Sequence, residues 1–226
     1  MSTSMDARTS LSAASLPAAR LGGVSLILGG IAFFAGGMTH PGDSGAGTKV
    51  EQLYHAYTHA SWYPSHTLLL ASFALFAVAI LLLRKRNSLG IGMRRLVNVV
   101  SIVAVVATVG MAAHLLSALG AESIANGQPS LTYHIQVWNE TILNTLWGLS
   151  IIALAAAGGV TGTLGNRITI PLAVVGGGAW CLATATIAFT DQFDPLFPVS
   201  SLIAVWAVVA GVMWALRGSS APKSPA

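Results

Sequence analysis

The stretch PSHTLLLASFALFAVAILLLRKR, residues 64–86, carries no formal charge until Arg84 and then closes on three consecutive basic residues. An apolar run of this length suits a helix crossing about 30 Å of hydrocarbon at about 1.5 Å per residue, and the basic cluster behind it marks the end that stays in the cytoplasm. Outward from this run, numbered 64–83 without its basic end, five more of the same kind can be drawn, at 21–40, 96–117, 135–158, 168–189 and 197–216. Each is bounded by charge, proline or a polar cluster. With 54% hydrophobic residues in 226, the chain is too apolar for a soluble domain. Segments alternating between polar and apolar residues, which a transmembrane barrel would need, are absent. The expected fold is therefore all-α: an integral membrane bundle of six transmembrane helices over residues 21–216, between disordered tails at 1–20 and 217–226.

Orientation follows from the basic residues, which are retained on the cytoplasmic side during insertion. With the N terminus inside, Arg8, Arg20, Arg84, Lys85, Arg86, Arg94, Arg95, Arg167, Arg217 and Lys223 all fall in the cytoplasm, and of the 11 Lys and Arg only Lys49 is outside. Both termini are thus expected inside, and the positive net charge reads as a topology signal rather than a nucleic-acid footprint. A cleavable leader is the rival reading of the first run, since Arg20 precedes an apolar stretch ending in Ala35-Gly36-Gly37. The long preceding segment and full span length favour a retained helix.

The same map places all 6 histidines on the outer side, His40, His55, His59, His66, His114 and His134, together with Asp43, Glu51, Glu122, Glu140, Asp191 and Asp194. Counting about twenty residues from each cytoplasmic end puts His40, His66, His114 and Glu140 in one layer near the outer interface. His40 continues a glycine stripe, Gly22-Gly23, Gly29-Gly30 and Gly36-Gly37, which recurs every two helical turns and should pack against another helix. His114 shares a small-residue face with Ala107, Gly110 and Ser117, and Glu140 lies in a polar stripe with Gln136 and Asn144. A carboxylate at that depth is costly against lipid, so it is expected to face the bundle.

Three imidazoles and a carboxylate suit a first-row metal, and His40, His66, His114 and Glu140 are the expected ligands. Paired intramembrane histidines, His66 with His114, equally suit haem b, which needs no covalent attachment motif. Either cofactor would serve a redox step in the membrane. A cofactor-free reading makes Glu140 a general acid in a membrane isomerase or cyclase acting on a lipid-like or isoprenoid substrate, with Trp62, Trp138, Trp147, Trp180 and Trp206 lining the pocket. Trp62 and Trp138 read instead as anchors at the membrane surface or as packing residues. A third reading is a non-enzymatic accessory subunit, its glycine faces, including Gly176 to Gly178, packing against a protein partner.

The outer loop 41–63 contains KVEQLYHAYTHASWY, read as an amphipathic surface helix that places Glu51, His55 and His59 on one face near the mouth of the site, with His134. Asp191 and Asp194 read as solvated turn residues, and Cys181 as a small buried hydrophobe. His40-Pro41 closing the first span and Trp62-x-x-x-His66 opening the second resemble a pattern of uncharacterised multi-span bacterial membrane proteins. The resemblance covers roughly residues 21–85 and implies a bacterial plasma-membrane location but no activity; the charge map adds that the pocket is expected on the extracytoplasmic side.

Overall fold

The computed structural model describes residues 3–42, 47–86, 88–128 and 130–217, with side chains from residue 18 onward. The C-terminal tail expected at 217–226 lies, apart from Arg217, outside the described residues. The described residues are helical and contain no strand. Helix α1 runs Thr3–Thr39, α2 Lys49–Thr58, α3 Trp62–Arg84 and α4 Ile91–Leu115, followed by a tighter turn and α5, Ala121–Ala125. Then come α6, Leu131–Trp138, α7, Thr145–Thr161, α8, Ile170–Thr186, a short α9, Phe197–Ser200, and α10, Leu202–Arg217. The segment expected as a disordered tail at 1–20 is helical from Thr3 onward and continuous with the first apolar stretch. Its many Ala residues let a helix propagate backward from a packed span at little cost.

Five stretches are long and apolar enough to cross a membrane: Ala18–Thr39, Trp62–Arg84, Ile91–Ala125, Leu131–Thr161 and Asp194–Arg217. The chain is a helical membrane protein on that ground. The sixth expected span, Ile170–Thr186, is a 17-residue helix.

The six long helices close into a ring in which α1 touches α3 and α10, α3 touches α4, α4 touches α7, α7 touches α8, and α8 touches α10. In hydrocarbon, apolar side chains gain little by leaving lipid, so the ring depends on close approach and interlocking shape. Glycine supplies the approach. A Cβ on Gly23 would stand 2.6 Å from the Gly211 carbonyl oxygen of α10, and one on Gly30 2.8 Å from the Ala204 carbonyl oxygen. On Gly36 it would stand 3.0 Å from the Ser65 carbonyl oxygen of α3. The glycine stripe thus serves two neighbours within the chain, α3 through Gly29 and Gly36 and α10 through Gly23 and Gly30. Gly176 and Gly177 likewise face α10 and α7, while Gly37 and Gly178 face open space.

Aromatic rings fill the middle of the ring of helices. Phe73 stacks on Trp147 with centroids 4.4 Å apart, Phe33 lies 5.7 Å from Trp147 and 5.1 Å from Trp180, and Phe76 meets Trp147 edge-on at 5.4 Å. Such pairs contribute about 0.5–1.5 kcal/mol each beyond the area they bury. These tryptophans therefore form the core of the bundle, below the histidine layer.

Between α6 and α7 the helix widens into a π turn over Asn139–Asn144. Nothing in the apolar periodicity of 135–158 announces it. The carbonyls at its end are bonded from α8: Trp180 Nε1 donates to Asn144 at 2.9 Å and Cys181 Sγ to Thr145 at 3.4 Å. Turns of this kind persist where neighbours hold them, and they concentrate at functional positions.

Candidate functional site

The C-terminal ends of α1 and α4, the start of α3 and the π turn bring His40, His66, His114 and Glu140 together at one end of the bundle. His40 lies just past α1, where Pro41 stops the helix. His66 stands in the second turn of α3 and His114 in the last turn of α4. Ring centroids of His40 and His66 are 4.8 Å apart, those of His66 and His114 also 4.8 Å, and His114 Nε2 is 4.0 Å from Glu140 Oε1. His66 is fully buried and His114 nearly so, whereas His40 keeps an exposed edge.

Trp62 is the hub of this cluster. Its ring stacks on His66 with centroids 3.7 Å apart and on His114 at 5.5 Å, with His40 at 6.4 Å and Tyr57 edge-on at 4.8 Å. Its indole N–H donates to the Leu115 carbonyl at 3.1 Å, and only 1% of its surface is exposed. Of the two readings of Trp62, surface anchor or packing residue, its burial selects packing: the i, i+4 spacing to His66 places both on one inward face. Trp138, 63% exposed, does face outward.

Hydrogen bonds settle the tautomers of two of the rings. His66 Nδ1 lies 2.7 Å from the Trp62 carbonyl and His40 Nδ1 3.0 Å from the Pro41 carbonyl. A carbonyl only accepts, so each Nδ1 carries a proton, and in the neutral ring each Nε2 keeps a lone pair. Within the cluster, His66 Nε2 and His114 Nδ1 are buried with no partner from the protein. Glu140 Oε1 accepts from Gln136 Nε2 at 2.7 Å.

The sequence reading missed Asn139. It is 2% exposed, and neither its side-chain oxygen nor its nitrogen has a protein partner. A Cβ on Gly110 would fall 2.3 Å from Asn139 Oδ1, so the absence of a side chain at Gly110 makes room for this amide against α4. The π turn swings Asn139 inward beside Glu140, which a uniform helical period over this run could not reveal.

Above the cluster lies α2. Its N terminus is a capping box, with Glu51 N–H donating to Thr48 Oγ1 at 3.3 Å and Thr48 N–H donating to Glu51 Oε2 at 2.7 Å. The Thr48 N–H, then its hydroxyl, hold the Glu51 carboxyl below the usual carboxylate range. Of the expected set Glu51, His55 and His59, the first two lie one turn apart on α2, where Glu51 also serves the cap, whereas α2 ends at Thr58 and His59 stands at its C-terminal cap. His59 Nδ1 accepts from the Ser61 N–H at 3.1 Å and lies 2.8 Å from the Ser61 hydroxyl. His55 and His134 are exposed, each beside a tyrosine. Tyr57 points down onto Trp62, and burial, with the nearby Glu140 charge adding to it, raises its phenol pKa above the ordinary value, so the hydroxyl stays neutral.

Asp191 and Asp194 are more than turn residues. Lys49 bonds the Asp191 carboxylate and lies 3.7 Å from Asp194 Oδ2, while Gln52 Nε2 reaches Asp191 at 3.4 Å. The start of α2 is thereby tied to the segment joining α8 to α9. Ion pairs as exposed as these are worth about 0.2–1 kcal/mol, so the tie positions α2 more than it stabilises the bundle.

Among the described residues no three His, Cys, Asp or Glu side chains are arranged to hold a metal ion as they stand. Of the tryptophans expected to line a pocket at Glu140, Trp147 and Trp180 belong to the aromatic core, Trp138 is exposed, and Trp62 stacks on His114 beside the carboxylate. Set beside known protein families, curated proteins and solved structures, the chain matches none, so its chemistry rests on this geometry.

Proposed function

We propose that this protein is a six-span plasma-membrane protein, both termini cytoplasmic, whose outer-facing cluster of His40, His66, His114 and Glu140 binds a small transition-metal ion. The observation that carries the reading is the carbonyl-fixed tautomer of His40 and His66. Metal-binding imidazoles characteristically donate their other N–H to a carbonyl or carboxylate, which aims the free nitrogen at the ion. The spacing agrees. An ion about 2.0–2.1 Å from an imidazole nitrogen stands about 3.2 Å from the ring centroid, so two imidazoles sharing it at usual ligand angles lie about 4.5–5.2 Å apart. Two axial imidazoles across one haem iron would need about 6.4 Å. The 4.8 Å pairs favour a bare ion over haem b. Glu140, whose Oε1 stands 4.0 Å from His114 Nε2, supplies the anionic ligand. The redox step depends on which ion binds.

The six-span topology is supported by the tie between Lys49 and Asp191, which puts the C-terminal end of α8 beside the outer loop, while its N-terminal end lies near Arg217. A 17-residue helix is the short end of a membrane span. In a Cys181→Ala background, Gln192→Cys should react with an impermeant thiol reagent from outside intact cells and Ile168→Cys only after permeabilisation. Labelling of both from one side would overturn the sixth span.

The metal reading is tested by elemental analysis and an absorption spectrum of protein purified in mild detergent from cells supplied with Zn, Fe, Mn and Cu. About one ion per chain is expected, falling to background in the His40→Ala/His66→Ala/His114→Ala variant. A Soret band would replace the ion with haem. No stoichiometric metal in wild type, or equal metal in the variant, ends the reading.

A further inference from the structure

At the opposite end of the molecule the last residues of α3 and α10 converge on the loop between α7 and α8. Arg217 donates from Nη1 to the Gly162 carbonyl and from Nη2 to the Gly165 carbonyl at 3.2 Å. Arg86, two residues beyond α3, donates from Nη1 to the Thr163 carbonyl at 3.4 Å. Three carbonyls of one loop therefore hold two guanidiniums from the ends of two different helices. The loop can present them because Gly162 and Gly165 adopt φ of 68° and 71°, a left-handed conformation open to glycine.

This arrangement gathers positive charge without cancelling it. Carbonyls are neutral, and none of the ion pairs among the described residues includes Arg86 or Arg217. The acidic side chains described, Glu51, Glu122, Glu140, Asp191 and Asp194, all lie in the outer half. Partial burial, then the neighbouring Arg217 charge, lowers the Arg86 pKa below its ordinary value. An anion between the two would relieve that repulsion, and each guanidinium has N–H groups beyond those the loop carbonyls take, which can donate to phosphate oxygens.

We propose that Arg86 and Arg217 form an anion site that takes the phosphate oxyanion of an anionic phospholipid headgroup. Its level in the molecule argues for lipid: Arg217 ends the span Asp194–Arg217, and Arg86 lies just past the end of the span Trp62–Arg84. Large apolar side chains lie open beside it, Ile168 in the same loop at 84% exposure and Leu216 at 65%. A headgroup held by the arginines would lay its acyl chains along such side chains. Basic pockets between helix ends on the cytoplasmic side are a recurring form of anionic-lipid recognition. The site is independent of the histidine cluster.

The test compares wild type with Arg86→Gln/Arg217→Gln, in which each glutamine keeps an amide N–H for the loop carbonyl but loses the charge. Detergent-purified protein is titrated with phosphatidylglycerol or phosphatidylcholine and followed by native mass spectrometry. Each basic group near an anionic headgroup contributes about fivefold, so the double variant should bind phosphatidylglycerol about 30-fold more weakly. Arg94→Gln/Arg95→Gln, which removes the same charge at the start of α4, should retain most of the binding. Inorganic phosphate distinguishes the source: if it binds wild type through these arginines and the lipid does not, the oxyanion site stands with a soluble ligand. If the double variant does not fold, the wild type alone decides, through preference for phosphatidylglycerol over phosphatidylcholine. Equal binding of the two lipids by wild type with no phosphate binding, undiminished binding by the double variant, or an equal loss in the Arg94/Arg95 control would overturn the proposal.

Discussion

Gly23→Ala should lower the thermal unfolding temperature of the detergent-solubilised protein sharply, although it adds a single methyl group and improves helix propensity. The added Cβ would lie 2.6 Å from the Gly211 carbonyl oxygen and 2.8 Å from the Ala215 backbone nitrogen. Both are backbone atoms on a facing helix and cannot rotate away. The contact is reciprocal, since a Cβ on Gly211 would meet the Gly23 carbonyl oxygen at 2.7 Å. Relief requires α1 and α10 to separate, which loosens the ring of six helices along its length. Overpacking of this kind costs about 1–3 kcal/mol and more where backbone is the obstacle. Gly37→Ala is the internal control: nothing lies within 4 Å of its Cβ position, so the helix-propensity gain of about 0.5–1 kcal/mol is unopposed. The expected order of stability is Gly37→Ala, wild type, then Gly23→Ala at a distance. Equal unfolding temperatures for the two variants would mean that α1 and α10 do not approach this closely.

Trp62→Ala should be the most damaging single change at the histidine end of the bundle. Removing a fully buried tryptophan costs about 3–5 kcal/mol through lost contacts and the cavity left behind. It also leaves the Leu115 carbonyl without its indole donor and strips the stacking partner from His66. Trp62→Phe keeps a ring in the stack and loses chiefly the hydrogen bond, about 1 kcal/mol. A chemical readout separates collapse of the cluster from general instability. His66 and His114, 0% and 3% exposed, should resist acylation by diethylpyrocarbonate in wild type and in Trp62→Phe, and become reactive in Trp62→Ala well below its unfolding temperature. Protection unchanged in Trp62→Ala would show that the imidazoles are held by their own helices and not by the indole.

These two residues also mark where the sequence was readable. Gly23 belongs to a visible seven-residue repeat, and small residues at that spacing mean close helix contact wherever they occur in a membrane. The repeat does not say that its members divide between α3 and α10, because a stripe of glycines is wide enough to meet two neighbours. Trp62 was ambiguous. A tryptophan at the start of a span is an anchor or a core residue according to which way one turn of helix faces, and rotation about a helix axis is set by packing. Asn139 was not readable, since its inward direction comes from a π turn stabilised by donors on α8.

The sequence by itself determined the class and depth: an all-helical membrane protein, with His40, His66, His114 and Glu140 level with one another. Length, hydropathy and charge placement are properties of the chain measured against a bilayer of set thickness, so no packing need be known. Tertiary structure decided which of these groups meet and what surrounds them. It stacked Trp62 on His66, fixed two tautomers through backbone carbonyls, withdrew Glu51 and His59 into local caps, and gathered Arg86 and Arg217 at the far end. Such contacts depend on helix rotation and on where hydrogen-bond partners fall to within a fraction of an ångström, quantities that a one-dimensional period leaves free.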